Sequence, residues 1–174
     1  AMPILLGGPT TLGFAIKNAR LRDAYRRLEA AAAQDSLTAC LNHGAFLAQT
    51  NEFLNGTPPD KTRGALLVVD ADHFKSVNDR YGHHIGDAAL RQIAARIQGA
   101  VRGGDLVGRI GGEEFGVLLP GATRTMAETI AENIRRAVQS IEFEVEGNRF
   151  SLSVSVGGAV FEHSVDYGAL FRCA

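Results

Sequence analysis

The feature that most restricts the fold of this chain is a pair of short apolar segments joined by two glycines. The segments are residues 106–110 and 115–119, and Gly111 and Gly112 lie between them. Glycine accepts the positive φ of a tight turn and has no Cβ, so this pattern predicts a β-hairpin. Two carboxylates, Glu113 and Glu114, follow the glycines directly. A purely structural hairpin gains nothing from them, because neighbouring like charges repel and strands are poor in glutamate.

A bound divalent cation would reverse that balance. Mg²⁺ takes carboxylate oxygens together with substrate phosphates as ligands. Taken alone, a Gly-Gly-Glu-Glu tip is more often an ordinary solvated turn. The rest of the chain therefore has to decide between a solvated turn and a cation site.

The composition indicates a soluble protein with room for one core. The chain has 174 residues, of which 18 are Lys or Arg, 19 are Asp or Glu and 45% are hydrophobic. A net charge of -1 gives no global basic field, so we expect no binding of bulk nucleic acid. The two cysteines, Cys40 and Cys173, have neither metal-ligand spacing nor the pattern of a disulfide framework, which favours a cytoplasmic location.

Residues 1–34 are predicted to be an N-terminal apolar segment followed by a linker helix. Residues 3–16 are apolar but broken by glycine and proline, and too short for a span of ~20 residues. They are either the stub of a membrane span, which would tether the domain to the inner face of the membrane, or a segment that docks on the domain. Residues 17–34 favour a helix with a coiled-coil-like seam, formed by Leu21, Tyr25, Leu28 and Ala32. So short a seam fits a coiled coil and a single packed helix equally well.

Residues 35–174 are predicted to form one α+β domain with an antiparallel-rich central sheet and flanking helices. The unbroken apolar run at residues 64–69 predicts a buried strand that ends at Asp70. Helices are expected around residues 45–53, 87–101 and 125–138 and from Asp166 onward, with strands at 143–146 and 150–160. This order is typical of split-βαβ folds, the palm or ferredoxin-like arrangement of nucleotide cyclases. It would bring Asp70 beside Glu113 and Glu114, which is costly unless a cation lies between the three carboxylates.

Several blocks of residues resemble the GGDEF family, the diguanylate cyclases, from Asp35 to the end of the chain. Residues 111–115 carry the family signature in its Glu form, and residues 70–75, 78–79, 81–83 and 86–87 match its second block in identity and spacing. The family is a class of nucleotidyltransferases that join two GTP molecules into cyclic di-GMP and release pyrophosphate. The resemblance implies the output domain of a bacterial signalling protein, active as a homodimer and controlled by an upstream sensor domain.

The resemblance also implies a role for each matched residue. Asp70, the main-chain carbonyl of Ala71, Glu113 and Glu114 would hold Mg²⁺, with Mn²⁺ as the alternative ion, against the triphosphate. Asp70, Glu113 and Glu114 would be the catalytic residues, and either Glu113 or hydroxide would take the proton of the attacking 3′-hydroxyl. The substrate-binding residues would be Lys75, Gly111 and Gly112 at the phosphates, Asn78 and Asp87 at the guanine edge, and Phe74 and Leu90 against the purine.

Two aspartates have ordinary alternatives. Asp87 follows Gly86 at an expected helix start, where an aspartate is commonly an N-cap. Asp72 is expected to be a helix cap or a solvated carboxylate, and not a ligand. A separate pair, Arg102 and Asp105, is by itself a surface turn with two charges, but it matches the family's Arg-x-x-Asp motif and implies an inhibitory site for the product, cyclic di-GMP.

Two departures from the family pattern leave a second function open. Ala39-Cys40 stands where Gly-Leu is usual, and His43-Gly44 stands where two arginines are usual. Family members also carry a Lys and an Arg on or just after the last helix, so we expect the domain to continue beyond Ala174. A catalytically inactive domain that binds GTP or cyclic di-GMP is thus the alternative to an active cyclase, although the intact signature argues against it.

Overall fold

The strand predicted before Asp70 is the centre of the sheet. In the computed structural model, which describes residues 33–58, 61–145 and 147–174, this strand is β1 (Gly64–Ala71). The strands β2 (Leu106–Arg109), β3 (Glu114–Pro120) and β6 (Val154–Phe161) complete a four-stranded sheet in the order β2-β3-β1-β6. Every pairing in this sheet is antiparallel. The predicted α+β fold with an antiparallel central sheet is confirmed.

Helices cover both faces of this sheet. Those described are α1 (His43–Gly56), α2 (Phe74–Tyr81), α3 (His83–Ala100), α4 (Arg124–Gln139) and α5 (Tyr167–Cys173). Side chains of α3 and α4 pack with Leu67 and Val69 in one apolar cluster. Side chains of α1 and α5 pack with Leu66 in a second cluster. Successive residues of a strand point to opposite faces, so a strand buried on both faces reads as the unbroken apolar run seen in the sequence.

The helix α1 approaches the sheet closely through Phe46. A Cβ added to Gly108 or to Gly116, which are register partners on β2 and β3, would lie 2.5 Å from the Phe46 side chain. The pair of glycines therefore provides the space for the aromatic ring. At the start of α1 the Asn42 side chain accepts a hydrogen bond from the Ala45 N–H at 2.8 Å, which satisfies one of the free donors of the first turn.

The C-terminal strands differ from the prediction. The strand expected at residues 150–160 is two strands, because β5 (Asn148–Ser151) pairs with β4 (Glu142–Val145) in a separate two-stranded sheet and β6 begins only at Val154. The apolar alternation continues across the break, since Leu152 and Val154 are both buried in the cluster beneath α3 and α4. Because the alternation of apolar residues is the same before and after the break between β5 and β6, the sequence pattern could not show that there are two strands.

The predicted N-terminal segment and linker helix fall outside the described residues, apart from residues 33 and 34. The described part of the chain contains no helix with the length and apolar character needed to cross a membrane. From Gln34 onward the residues form one compact unit. Its first turn is joined to the sheet by bridges between Gln34 and Leu41 and between Leu41 and Gly108.

That turn contains a strained alanine. Ala39 has a φ of 57° at the position where the family usually has glycine, and its side chain is exposed. We expect Ala39→Gly to raise the free energy of unfolding by about 0.5 to 1 kcal/mol. The relieved left-handed strain is worth roughly 1–2 kcal/mol, and part of it is offset by the greater freedom of glycine in the unfolded chain. Urea unfolding measures the change.

The matched control is Ala95→Gly, at an exposed alanine within α3. There the same substitution should lower the free energy of unfolding by about 1 kcal/mol, because the helix already holds alanine in its preferred conformation. Equal destabilisation by the two substitutions would show that Ala39 carries no strain.

Candidate functional site

The register of β1 and β3 brings Asp70 and Glu114 together. The two residues are direct antiparallel partners at the end of the pairing. Leu66 and Leu118 are also register partners, and each lies four residues along its strand from the carboxylate. Both leucines are buried in the cluster beneath α1 and α5. Because side chains alternate, Asp70 and Glu114 leave the same face of the sheet as these leucines. Directly opposed Cβ atoms lie about 4.5–5.5 Å apart, so the two carboxylates can act on the same ligand.

The hairpin tip is held by main-chain bonds around Glu114. The Glu114 carbonyl accepts from the N–H groups of Ile110 and Gly111 at 2.9 and 3.3 Å. A Cβ on Gly111 would collide with the Glu114 carboxylate, so the signature's first glycine leaves room for this side chain. Glu113 is joined to β1 by its carbonyl, which accepts from the Ala71 N–H at 3.2 Å.

The predicted convergence of three carboxylates is only partly found. Asp70 and Glu114 face each other, whereas Glu113 meets β1 through its main chain, and the described ranges contain no group of three His, Cys, Asp or Glu side chains arranged to hold a metal. Carboxylates and a main-chain carbonyl are the hard oxygen ligands that suit Mg²⁺ or Mn²⁺, and the part of the Glu113 carboxylate in this site stays a prediction.

An arginine that the sequence reasoning missed connects the tip to the first turn of the domain. The Arg109 guanidinium donates to the Gly112 carbonyl at 2.6 Å from Nη2 and 3.2 Å from Nε. Its Nη1 donates to both carboxylate oxygens of Asp35 at 3.4 Å. The sequence did contain a signal for this contact. A positively charged side chain stands two residues before the signature glycines, and the Asp-Ser-Leu-Thr turn at residues 35–38 supplies a carboxylate that could bind it.

Asp35 is held in place from both sides. The Thr38 N–H and hydroxyl donate to its Oδ1 at 2.9 and 2.6 Å, and Arg109 lies on its other side. Burial raises the pKa of Asp35, but the hydrogen bonds from Thr38 and the charge of Arg109 outweigh it, so the pKa of the carboxyl is lowered from its ordinary value of 3.8. The carboxylate therefore stays charged and bound to Arg109 at neutral pH.

The residues predicted to bind guanine lie where α2 meets α3. Asn78 is on α2, and its amide occupies the space that a Cβ of Gly86 would need. Asp87 is the fifth residue of α3, whose N-cap is Gly82, so the alternative of Asp87 as a helix cap is wrong. The helix begins earlier than the sequence indicated because Gly82, at a φ of 82°, provides the turn between α2 and α3. The half-buried Asp87 side chain is thereby left without a capping role.

The other predicted nucleotide contacts differ in exposure. Phe74 and Leu90 are 6% and 2% exposed and belong to the main core, and their contact with the purine stays a prediction. Lys75 is exposed in the first turn of α2. Asp72 is partly exposed and is not the N-cap of α2, which is His73, so the structure agrees with the solvated carboxylate and not with the cap. Its Oδ2 and Oδ1 accept from the hydroxyls of Ser153 and Ser155 at 2.7 and 2.6 Å, which lowers the pKa of its carboxyl.

In the predicted inhibitory site, Arg102 and Asp105 bind each other. The Asp105 carboxylate accepts from the Arg102 N–H at 3.0 Å and from its Nε at 3.2 Å, and only 1% of the Asp105 side chain is exposed. The Arg102 guanidinium also donates to the Pro120 carbonyl at 2.9 Å and remains 54% exposed. A ligand at this turn would therefore meet the guanidinium first.

Comparison with known proteins places this geometry in one family. Residues 32–174 match the family model described as diguanylate cyclase, GGDEF domain. The diguanylate cyclase TpbB of Pseudomonas aeruginosa is 39% identical over 158 residues, which cover 90% of this chain and 36% of the relative. The probable diguanylate cyclase DgcE of Escherichia coli is 38% identical over 136 residues, covering 78% of this chain and 12% of the relative. The chain thus spans about a third or less of the length of these curated relatives.

Solved structures show the same fold. The GGDEF domain of DgcB from Caulobacter crescentus, in complex with c-di-GMP, has a TM-score of 0.76 and 28% identity, and the match covers 81% of this chain and 84% of that one. The diguanylate cyclase SiaD of Pseudomonas aeruginosa, in complex with its activator SiaC, has a TM-score of 0.77 and 31% identity over 94% of this chain and 66% of that one.

The tie between Asp35 and Arg109 predicts a pH dependence of stability. Because the pKa of Asp35 is lower in the folded protein, its contribution is complete above the ordinary pKa and is lost as the pH falls through the folded-state pKa. Asp35→Asn should reduce the free energy of unfolding at pH 7 by about 1–2 kcal/mol. The difference from the parent protein should shrink as the pH falls below about 5.

Urea unfolding at a series of pH values checks this expectation. Asp79→Asn, at an exposed carboxylate on α2, is the control and should change the free energy of unfolding by less than about 0.5 kcal/mol at any pH. A difference between parent and Asp35→Asn that stays constant down to pH 3 would contradict the role given to this carboxylate.

Proposed function

The chain belongs to the GGDEF family of diguanylate cyclase domains, and on that premise we propose that it condenses two GTP molecules into cyclic di-GMP and pyrophosphate. The observation that carries the proposal is the β1–β3 register, with Asp70 opposite Glu114 next to a glycine turn. A receptor that binds only cyclic di-GMP at Arg102 and Asp105 would not need two opposed carboxylates beside this turn.

The oxygen donors at the hairpin tip serve the phosphates. Asp70, Glu113, Glu114 and the Ala71 carbonyl would hold Mg²⁺ or Mn²⁺, which supplies positive charge where negative charge builds up on the reacting α-phosphate. The Arg109 guanidinium fixes the Gly112 carbonyl and keeps the turn open for the approach of phosphate to the main chain. Lys75, which is exposed on α2, neutralises further phosphate charge.

The guanine base is read by Asp87 and Asn78. Guanine presents a ring N–H and an exocyclic amine side by side, and one carboxylate accepts both hydrogen bonds. Adenine lacks this pair of donors, so the half-buried Asp87 carboxylate would lose these partners when ATP is bound. Asn78 adds an amide whose position is fixed by its close packing against Gly86. These two side chains would therefore give preference for GTP over ATP.

The bond changes require two copies of the site. The 3′-oxygen of each GTP forms a bond to the α-phosphorus of the other, and the bond from that phosphorus to pyrophosphate breaks. The proton of the attacking hydroxyl passes to Glu113 or to hydroxide. The sequence contains one signature and one set of candidate ligands. A homodimer with two-fold symmetry would bring two such sites face to face, and an upstream sensor domain could control that encounter.

Direct product analysis tests the proposed reaction. The protein is incubated with GTP and Mg²⁺ and the nucleotides are separated by chromatography. We expect cyclic di-GMP from the parent protein and a loss of at least a hundredfold in turnover for Asp70→Asn and for Glu114→Gln, because each removes a charged ligand of the ion that would stabilise the reacting phosphate. Glu142→Gln, at an exposed carboxylate on β4, is the control and should retain full turnover.

The outcomes separate the candidate functions. Binding of GTP without any cyclic di-GMP would support the inactive receptor. Turnover that survives in Asp70→Asn or Glu114→Gln would remove these carboxylates from the reaction. Thermal unfolding of each variant shows whether the fold is retained.

A second prediction concerns inhibition by the product at Arg102 and Asp105. Because the pair lies outside the hairpin tip and the guanidinium is exposed, Arg102→Ala should leave initial turnover unchanged. It should weaken cyclic di-GMP binding by about 1.5–3 kcal/mol, as expected when a hydrogen bond to a charged group is lost. Calorimetry with cyclic di-GMP measures the change. Arg96→Ala, at an exposed arginine on α3, is the control, and equal affinity in all three proteins would refute the site.

A third prediction follows from the need for two chains. Turnover per chain should rise with protein concentration and should increase when a strong parallel coiled coil is fused before Lys17, because the second site then becomes available at high effective concentration. Sedimentation velocity over the same concentrations gives the fraction of dimer. A specific activity that stays flat while monomers become dimers would contradict the two-chain mechanism.

A further inference from the structure

The helix α2 carries two of the proposed nucleotide contacts but has little core packing of its own. It has 8 residues, and Phe74 is its one buried side chain. An isolated helix of this length is not stable in water, because the free-energy cost of nucleating it exceeds the stabilisation from its few hydrogen bonds. The orientation of Lys75 and Asn78 must therefore be set by what holds the two ends of α2.

The N-terminal end is held by the start of β6. The Asp72 N–H donates to the Ser153 carbonyl at 3.0 Å, and the Asp72 carboxylate accepts from the hydroxyls of Ser153 and Ser155. These three bonds fix the chain where it leaves β1 and enters α2. They leave the other end of the helix to be held by different contacts.

The C-terminal end is held by an aromatic stack. The Tyr81 ring lies parallel to that of Phe150 on β5, with 4.5 Å between centroids and 8° between planes. Phe150 in turn stacks on Phe143 of β4 at 5.2 Å and 14°. The Arg80 guanidinium lies 5.2 Å from the centroid of the Tyr81 ring. The separate β4–β5 sheet is thus joined to α2 through one ring.

We propose that Tyr81 and Phe150 are positioning residues for guanine recognition. Tyr81 lies three residues after Asn78, on the neighbouring position of the helix surface, and the next N–H, of Gly82, donates to the Asn78 carbonyl at 2.9 Å. The Asn78 amide fits closely against Gly86, so a small rotation of α2 would drive it into α3 or away from the base. The stack sets that rotation without touching the nucleotide.

This inference rests on the proposed GTP site, and substitutions that remove or keep the ring stacking test it. Tyr81→Leu and Phe150→Leu keep apolar bulk but remove the stacked pair, whereas Tyr81→Phe keeps it. The probes are GTP and ATP whose 3′-hydroxyl is replaced by hydrogen, so that no reaction follows binding, and calorimetry in Mg²⁺ gives each dissociation constant. Hydrogen exchange of the α2 amides without nucleotide is a second readout.

For the two leucine variants we expect the dissociation constant for the GTP probe to rise roughly three- to tenfold. This is the change in affinity that corresponds to the free energy of one stacked aromatic pair. The ATP probe should change less, so the preference for guanine falls, and the α2 amides should exchange faster. Tyr81→Phe should behave as the parent. Phe53→Leu is the matched control, because it removes an edge-on ring pair with Phe161 on the other face of the sheet, and it should change neither binding nor α2 exchange.

The outcomes separate this proposal from the proposed function. A parent protein that binds no GTP probe would overturn both. Tight binding by the parent together with unchanged binding by Phe150→Leu would overturn the positioning role alone. Equal weakening by Phe150→Leu and Phe53→Leu would also overturn it, because the effect would then reflect general stability and not the orientation of α2.

Discussion

The pairing of Asp70 with Glu114 across β1 and β3 is the constraint on which the candidate site depends. Two carboxylates directly opposite each other are destabilising in an antiparallel sheet. The same register pairs Leu66 with Leu118 in the core, and a slip by one residue would turn every buried side chain of β3 toward the wrong face. The apolar core therefore enforces the register, and the register places the like charges at the end of the strands. A positive ion between them would turn that cost into binding energy.

Hydrogen bonds connect the surroundings of this pair to the first turn of the domain and to β6. Arg109 contacts the Gly112 carbonyl and the Asp35 carboxylate, so the hairpin tip and the first turn of the domain share one guanidinium. On the other side, Asp72 leaves β1 two residues after Asp70 and binds the serines that begin β6. Displacement of Asp35 would therefore free a cation next to the signature glycines, and displacement of β6 would turn α2.

Much of the fold could be predicted from the sequence, because its signals were local. The apolar run before Asp70, the glycine turn and the start of α5 at Asp166, whose side chain accepts from the Ala169 N–H at 3.0 Å, each depend on a few neighbouring residues. The failures had two causes, a local turn that was not recognised and a contact between distant parts of the chain. The position of Asp87 depended on Gly82 starting α3 early, and the partner of Arg109 lies 74 residues away at Asp35. The facing of Asp70 and Glu114 was predicted from topology and agrees with the register of β1 and β3, whereas the position of the Glu113 carboxylate stays a prediction.

A double-mutant cycle on nucleotide binding tests most directly whether the register forms one site. The affinity for the unreactive GTP probe with Mg²⁺ is measured by calorimetry for the parent, Asp70→Asn, Glu114→Gln and the double variant. If both carboxylates hold the same ion, the double variant should lose little more than either single variant, with a coupling free energy of about 1–3 kcal/mol. Losses that add within about 0.5 kcal/mol would show that Asp70 and Glu114 act independently and would contradict the account.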